Sequence, residues 1–525
     1  MNLSLVIEWK ENIRRFFEEN KTVIFFTFLF GIAVNYAGFS FQSAYNMDSV
    51  FYEQNFRYQA GIWEIINGRW GIPFIDRIKH GLIPVAFLTI ICIAILSITA
   101  ALIIDIFKPA MAMRYCISLL MVVSPALMSI ITYSYCIDSY TFSVALAVLY
   151  AWLLFYQKNY LLAGIACVAS LSLYQANCSC CIVLICGMWT NELLQGQYKT
   201  SEMIKRYLLY CITFGISLLT YYFIATVIIK LLHQSWASYG GASGFSVIKL
   251  IQTLPHSILN AFDTVQKFFY TDSFVHNKPW HIAGLLSSLL VILVISIFRS
   301  ALKQRLSLSQ LIGIIIGLAA MFMSGALILI ITYQAGFALR MAYSMTVLLI
   351  ALLCLLSNMI ELAFGRRSIF RAIAFVLILG LLRGYTGMAS ATYISYQHQD
   401  RVAYALADDI MQDVKLKYGS INAQRVAIIG MVKENPTYHS KISAEDQGII
   451  DPFVIDHSPN TTYWTTLRTW NSYFSRFFGI NDIFTITQDE YDSIVNSDQF
   501  NNMAVYPDDG SIEQFSNNIV AIKIS

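Results

Sequence analysis

Charge is what this 525-residue chain has least of. Asp, Glu, Lys and Arg make up 13% of it, about half the share of an ordinary soluble domain. The net charge of +3 gives no electrostatic case for nucleic acid as a partner. No cysteine follows Cys354, so the C-terminal part has no disulfide. No GxGxxG, Walker A, HExxH or GxSxG stretch occurs, which leaves a soluble nucleotide site unsupported. No internal repeat and no low-complexity linker is visible. The charged stretch 8–21 (EWKENIRRFFEENK) follows no short apolar run with a small-residue cleavage site. The apolar run 22–40 is therefore expected to stay as a span.

What the chain has instead is apolar length. Hydrophobic residues make up 57% and the mean hydropathy is +0.58. A bilayer-spanning helix needs about 20 mostly apolar residues. Windows near 22–40, 82–106, 115–132, 140–157, 160–174, 178–194, 207–231, 281–298, 308–332, 341–360 and 371–391 meet or approach that length, about eleven spans in all. Arg383 falls in the last window and is costly in lipid, so it should face protein or water. With the N-terminus inside, the inner segments hold sixteen Lys and Arg and the outer ones eight, as the positive-inside rule asks. An odd number of spans then puts the tail outside.

Two outer segments are long, 41–80 and 232–280, and both are polar and aromatic. Every inner loop is short, which points to work done on the outer face. The tail changes character: 401–418 has helical apolar spacing, while RVAIIG (425–430) and NNIVAIKIS (517–525) read as buried strands. The expected organisation is mainly α, with a membrane domain over 1–394 and a small α/β domain over 395–525 directly on its outer face.

The first outer segment is the richest in chemistry. Asp48 follows the first span by a few residues, and a carboxylate there suits a general base within reach of an acceptor hydroxyl. Arg57 and Arg69 suit a phosphate, whose oxygens match the guanidinium fork. A merely solvated loop fits the same residues. Tyr135 and Asp138 sit in a short outer turn. The acid needs water or a cation; it suits sugar hydroxyls, with tyrosines on the sugar face, and equally suits an interfacial aromatic belt. Gln175 is an uncharged hydrogen-bonder for sugar or phosphate oxygens, or a helix-end cap. Arg340, at the start of a span, is a phosphate clamp or a side chain snorkelling to headgroups. His233, His256, His276 and His281 lack metal spacing. Cys178, Cys180 and Cys181 lack a second cluster and read as small apolar packing groups, so no metal and no other cofactor is expected. A Cys136–Cys178 bridge stays open on sequence alone.

The order Asn46-Met47-Asp48, Gly68-Arg69-Trp70, Tyr135-x-x-Asp138-Ser139-Tyr140, Leu173-Tyr174-Gln175 and Arg340 resembles the serotype-converting O-antigen glucosyltransferases of phage and bacterial Gtr type. That resemblance runs from the first span to the outer tail. It implies a GT-C-like, metal-independent and inverting enzyme of the bacterial inner membrane. The implied donor is undecaprenyl-phosphate glucose and the implied acceptor is lipopolysaccharide O-antigen on the periplasmic face. A donor-lipid synthase and a flippase would be functional partners. The resemblance assigns Asp48 as base, Asp138 to acceptor or sugar, and Arg69, Gln175 and Arg340 to the donor. The competing readings are a carrier or flippase for a polyprenyl-linked sugar, a GT-C transferase of another sugar, and an O-antigen ligase or polymerase. Against the carrier stands the scarcity of charge within the spans.

Overall fold

A long apolar run can satisfy its backbone polar groups in lipid by folding as a helix, and helices dominate the chain. The computed structural model describes residues 3–40, 49, 58–196, 200–237, 247–276, 278–332, 337–419, 425–430, 435–438, 448–449, 463–480, 485–515 and 518–525. Among them are eight helices long and apolar enough to cross a membrane: Val85–Phe107, Met111–Thr132, Ser134–Gln157, Gln175–Gln195, Ser201–Leu231, Trp280–Gln304, Tyr343–Phe364 and Ile369–Tyr418. Two further windows fall on the shorter apolar helices Tyr160–Leu173 and Leu308–Ser324. The window 22–40 lies within Leu3–Ser40, which extends back through the charged stretch.

Small and polar residues fasten these helices. Thr27 donates to Ser118 at 2.9 Å. Asn35 donates to the Val122 carbonyl at 2.9 Å and accepts from Tyr393. The cysteine-rich stretch is core packing: Cys178, Cys180 and Cys181 are buried. Cys136 and Cys178 are both free thiols, which settles the open pairing against a bridge.

Several expectations are corrected. The window 308–332 is not one helix: it breaks at Gly325 into Leu308–Ser324 and Leu327–Ile331. The segment 232–280 is not simply a polar loop, because it contains the helix Val247–Tyr270. Ile248, Ile251, Leu254, Ile258, Leu259 and Phe262 recur there at helical spacing and form an exposed apolar stripe. Such a stripe suits a helix lying in a membrane interface. The helical spacing expected over 401–418 does form helix, continuous with the span before it. It is the end of Ile369–Tyr418, fifty residues long, which passes position 394 without a break. Arg383 is exposed. Its neighbour Gly384 packs on Ile282 beside His281, so Arg383 sits level with the start of the Trp280–Gln304 helix, not with its middle.

The C-terminal strands form a small sheet. Arg425–Ile429 pairs in parallel with Ile519–Lys523, which pairs antiparallel with Ile512–Phe515. One sheet face, with Val426, Ile428, Val520 and Ile522, joins the main core. The other, with Ala427, Ile429 and Ala521, closes a second core with Tyr491, Ile494 and Phe500. Val275–His276 pairs with Gly448–Ile449, tying the 232–280 segment to the tail.

Candidate functional site

The expected site residues are described at Arg69, Tyr135, Asp138, Gln175 and Arg340; Asp48 and Arg57 lie outside the described residues. The five come together at one end of the bundle, where the segment after residue 58 meets the Ser134–Gln157 and Gln175–Gln195 helices.

Local sequence explains how that segment is held. Gly61 starts the helix Ile62–Ile66, and Glu64 reaches back to accept from its backbone N–H at 2.9 Å, satisfying a donor that a helix start leaves open. Tyr58 donates to the same carboxylate. Gly68 reverses the chain at φ +79°, and a Cβ there would overlap the Tyr221 hydroxyl, so the turn requires glycine on both counts. The Gly71 N–H donates to the Ser172 carbonyl at 2.9 Å. The helix Ile72–Ile78 then begins with proline in its first turn.

Two kinds of cation result. Lys79 caps the C-terminal end of that short helix, a position that favours positive charge. Its Nζ donates to Asp138 at 3.0 and 3.3 Å and to the Tyr135 carbonyl at 3.1 Å. It also lies 3.4 Å from Asp76, whose other oxygen accepts from the Ala60 N–H at 2.7 Å. Asp138 is buried and accepts from the Ser139 N–H at 2.8 Å. The cation that Asp138 was expected to need is therefore Lys79. Sequence reasoning passes over Lys79; its spacing of three from Asp76 on a helix was the available signal.

Arg69 is held differently. Its guanidinium lies 5.1 Å from the centre of the Tyr174 ring and 3.5 Å from the Tyr140 hydroxyl. Tyr140 and Tyr174 are themselves stacked at 4.2 Å. The Arg69 Nε is shut off from solvent without a hydrogen-bond partner, and Arg69 makes none of the ion pairs among the described residues. Arg340, on the turn Leu339–Met341, donates to the Tyr133 hydroxyl at 2.6 Å and lies 4.8 Å over that ring. Its charge is close enough to act on Arg69. Tyr133, Tyr135, Tyr140 and Tyr174 are all buried, so two guanidinium groups stand on a floor of tyrosine rings.

Gln175 is engaged as a fastener. Its Nε2 donates to the Asn67 carbonyl and to Tyr221 Oη, both at 2.8 Å, and Tyr221 donates to the Gly68 carbonyl at 3.1 Å. These bonds fix the turn that carries Arg69. Ser49, the residue after Asp48, is buried and docked at the same end. It donates to the Thr132 carbonyl at 2.6 Å and accepts from the Ser134 N–H at 3.1 Å. Among the described residues no three His, Cys, Asp or Glu side chains gather as metal ligands.

The family model described as Glucosyl transferase GtrII matches residues 40–351, more than half of the chain and the whole of this site. The chain belongs to the GtrII glucosyl transferase family. Membership makes it a glycosyltransferase, and a glucosyl transferase needs a sugar donor and an acceptor. The match ends before the fifty-residue helix Ile369–Tyr418, so the sheet-bearing tail lies outside the family region. No curated protein and no solved structure matches the chain.

Proposed function

We propose that this GtrII member transfers glucose from undecaprenyl-phosphate glucose to lipopolysaccharide O-antigen at the periplasmic face of the bacterial inner membrane. The observation that carries this reading is Arg69. A half-buried guanidinium with an unpartnered Nε and no described carboxylate is costly unless an anion completes it. Arg340 on the adjoining tyrosine adds a second fork. A phosphate bearing a lipid chain fits, since two guanidinium groups can neutralise its oxygens as charge develops on the leaving group.

In this mechanism Asp48 takes the proton of the acceptor hydroxyl. The freed oxygen attacks the glucose anomeric carbon, the bond to the phosphate oxygen breaks, and the configuration inverts. The anchoring of Ser49 beside Tyr133 supports a base supplied from this stretch of chain. Asp138 and Gln175 act by holding Lys79 and the Arg69 turn. The membrane helices hold the donor, and the end of the Ile369–Tyr418 helix, with the sheet-bearing tail that follows it, lies on the periplasmic side with the polysaccharide. The bias of basic residues toward the N-terminal side of the membrane supports that orientation.

The test is transfer from undecaprenyl-phosphate glucose to lipid-linked O-antigen by purified wild type and Asp48→Asn. Wild-type transfer that vanishes in a folded Asp48→Asn protein is the expected result. Equal rates in both remove Asp48 as base, and a folded wild type that transfers nothing removes the donor assignment.

A further inference from the structure

Six basic residues gather where the helices Trp280–Gln304 and Tyr343–Phe364 end and Ile369–Tyr418 begins. They are Arg299, Lys303, Arg305, Arg366, Arg367 and Arg371, and Glu361 is the one acid in the same two stretches, 299–305 and 361–371. This end lies the length of Tyr343–Phe364 away from the Arg340 turn, about 30 Å at 1.5 Å per residue. That is about the thickness of a bilayer core, which puts the basic patch at the opposite membrane face from the Arg69 site.

One acid does not neutralise this patch. Glu361 accepts from Arg366 at 2.7 Å and from Arg371 at 2.9 Å. The Lys303 Nζ donates to the Leu362 carbonyl at 2.9 Å, capping the end of that helix. Arg299 makes none of the ion pairs among the described residues. Its guanidinium lies 4.5 Å over the Phe364 ring, and Phe364 is stacked in turn on Phe370 at 4.3 Å. Arg299, Leu302, Lys303, Ala363, Phe364 and Gly365 line an open cavity of about 610 Å³, within the range of small-ligand sites, about 300–1,000 Å³. Around it the helices face outward with apolar side chains: Phe298 and Leu302 on one, Ile369 and Ile373 on another, are exposed.

We propose that this cavity binds the phosphate headgroup of an anionic phospholipid in the leaflet opposite the Arg69 site. A phosphodiester supplies the negative charge that Arg299 and Lys303 lack, and its oxygens match the guanidinium fork. The setting selects a lipid over a free phosphate: the cavity opens at the ends of membrane-spanning helices, and the exposed apolar residues beside it offer a path for acyl chains. Basic pockets between spanning helices recognise anionic headgroups in this way. Bound there, the headgroup bridges Arg299 on one helix to the Ala363–Gly365 wall on the next, so it fastens the two helix ends together. None of these residues belongs to the transfer site, and the inference stands apart from the donor reading.

The test places the purified full-length chain in nanodiscs of phosphatidylglycerol or of phosphatidylcholine. It reads the melting temperature and, by native mass spectrometry, the lipid retained. Wild type is expected to retain phosphatidylglycerol over phosphatidylcholine and to melt higher in it. Arg299→Gln should lower that preference about fivefold, the worth of one cation beside an anionic lipid, and remove most of the difference in melting temperature. Arg305→Gln removes the same charge outside the cavity lining and should keep both. Equal losses in the two variants make the effect one of overall charge and overturn the proposal. Equal retention of the two lipids by wild type overturns it as well, and leaves the patch to an acidic protein segment. Inorganic phosphate added to wild type in phosphatidylcholine should not raise the melting temperature; a rise matching that of phosphatidylglycerol shows that free phosphate suffices and overturns the lipid assignment. Should Arg299→Gln fail to fold, Leu302→Trp fills the cavity with its charge intact. It should lower the preference in the same way, and an unchanged preference there contradicts the proposal.

Discussion

Lys79 and Arg69 stand ten residues apart on the same segment, and they differ in what completes them. Lys79 meets Asp138, Asp76 and a backbone carbonyl within 3.4 Å. Arg69 meets two tyrosine rings and leaves its Nε unpartnered. Both charges are withdrawn from water, so both need compensation. The first finds it inside the protein and holds the fold; the second lacks it among the described residues, and there we propose that the donor phosphate binds. Charge type and position in the sequence do not separate the two cases. Partner inventory does.

Substitutions probe that contrast. Arg69→Ala has the largest expected effect: kcat/KM for glucosyl transfer falls by about 10²- to 10³-fold, the scale of losing one preorganised charge stabiliser, while membrane yield and melting temperature hold. Arg69→Lys recovers little, because an ammonium lacks the planar fork. Lys79→Ala should behave in the opposite sense. It strands two carboxylates and costs about 3–5 kcal/mol of stability, read as lost membrane yield; adding Asp76→Asn and Asp138→Asn should restore most of it. If Lys79→Ala is well folded and merely inactive, the contrast collapses.

Tyr221→Phe sharpens the comparison at smaller scale. It removes the hydroxyl between Gln175 and the Gly68 carbonyl and loosens the Arg69 turn, for a five- to tenfold loss of kcat/KM, about one hydrogen bond's worth. That loss should disappear in an Arg69→Ala background, since Tyr221 acts through Arg69. The smallest effect is expected far from the site. Arg425 forks onto Glu490 at 2.8 and 2.6 Å and, with the Thr487 N–H, holds that carboxyl down to about 2. The folded value lies below the ordinary one, so the stabilisation is present above about pH 4.5 and is lost as pH falls toward 2. Glu490→Gln should cost about 1 kcal/mol in tail unfolding, flatten that acid dependence and leave transfer rates alone.

The helices were legible because a lipid-facing segment must be apolar for its whole length. Val85–Phe107 and Tyr343–Phe364 follow directly from hydropathy. The helix Val247–Tyr270 was not, because its apolar residues occupy one face and its average is diluted by Gln252, His256 and Asp263; the spacing from Ile248 to Phe262 was the signal to read. Gly325 broke a span that composition alone joins. Within the site, Arg69, Tyr135, Asp138, Gln175 and Arg340 were picked out and do converge, yet the fastening role of Gln175 and the pairing of Asp138 with Lys79 depend on contacts more than 50 residues apart in sequence. No local pattern encodes those partnerships.

We propose that Arg69 binds the phosphate of a lipid-linked sugar. The most direct measurement is equilibrium binding of undecaprenyl-phosphate glucose to purified wild type and Arg69→Ala, with the melting temperature of each recorded alongside. The account predicts affinity weakened by about a hundredfold, the worth of a charge-assisted fork, at an unchanged melting temperature. Equal affinity in the two proteins, or a variant that no longer folds, would contradict it.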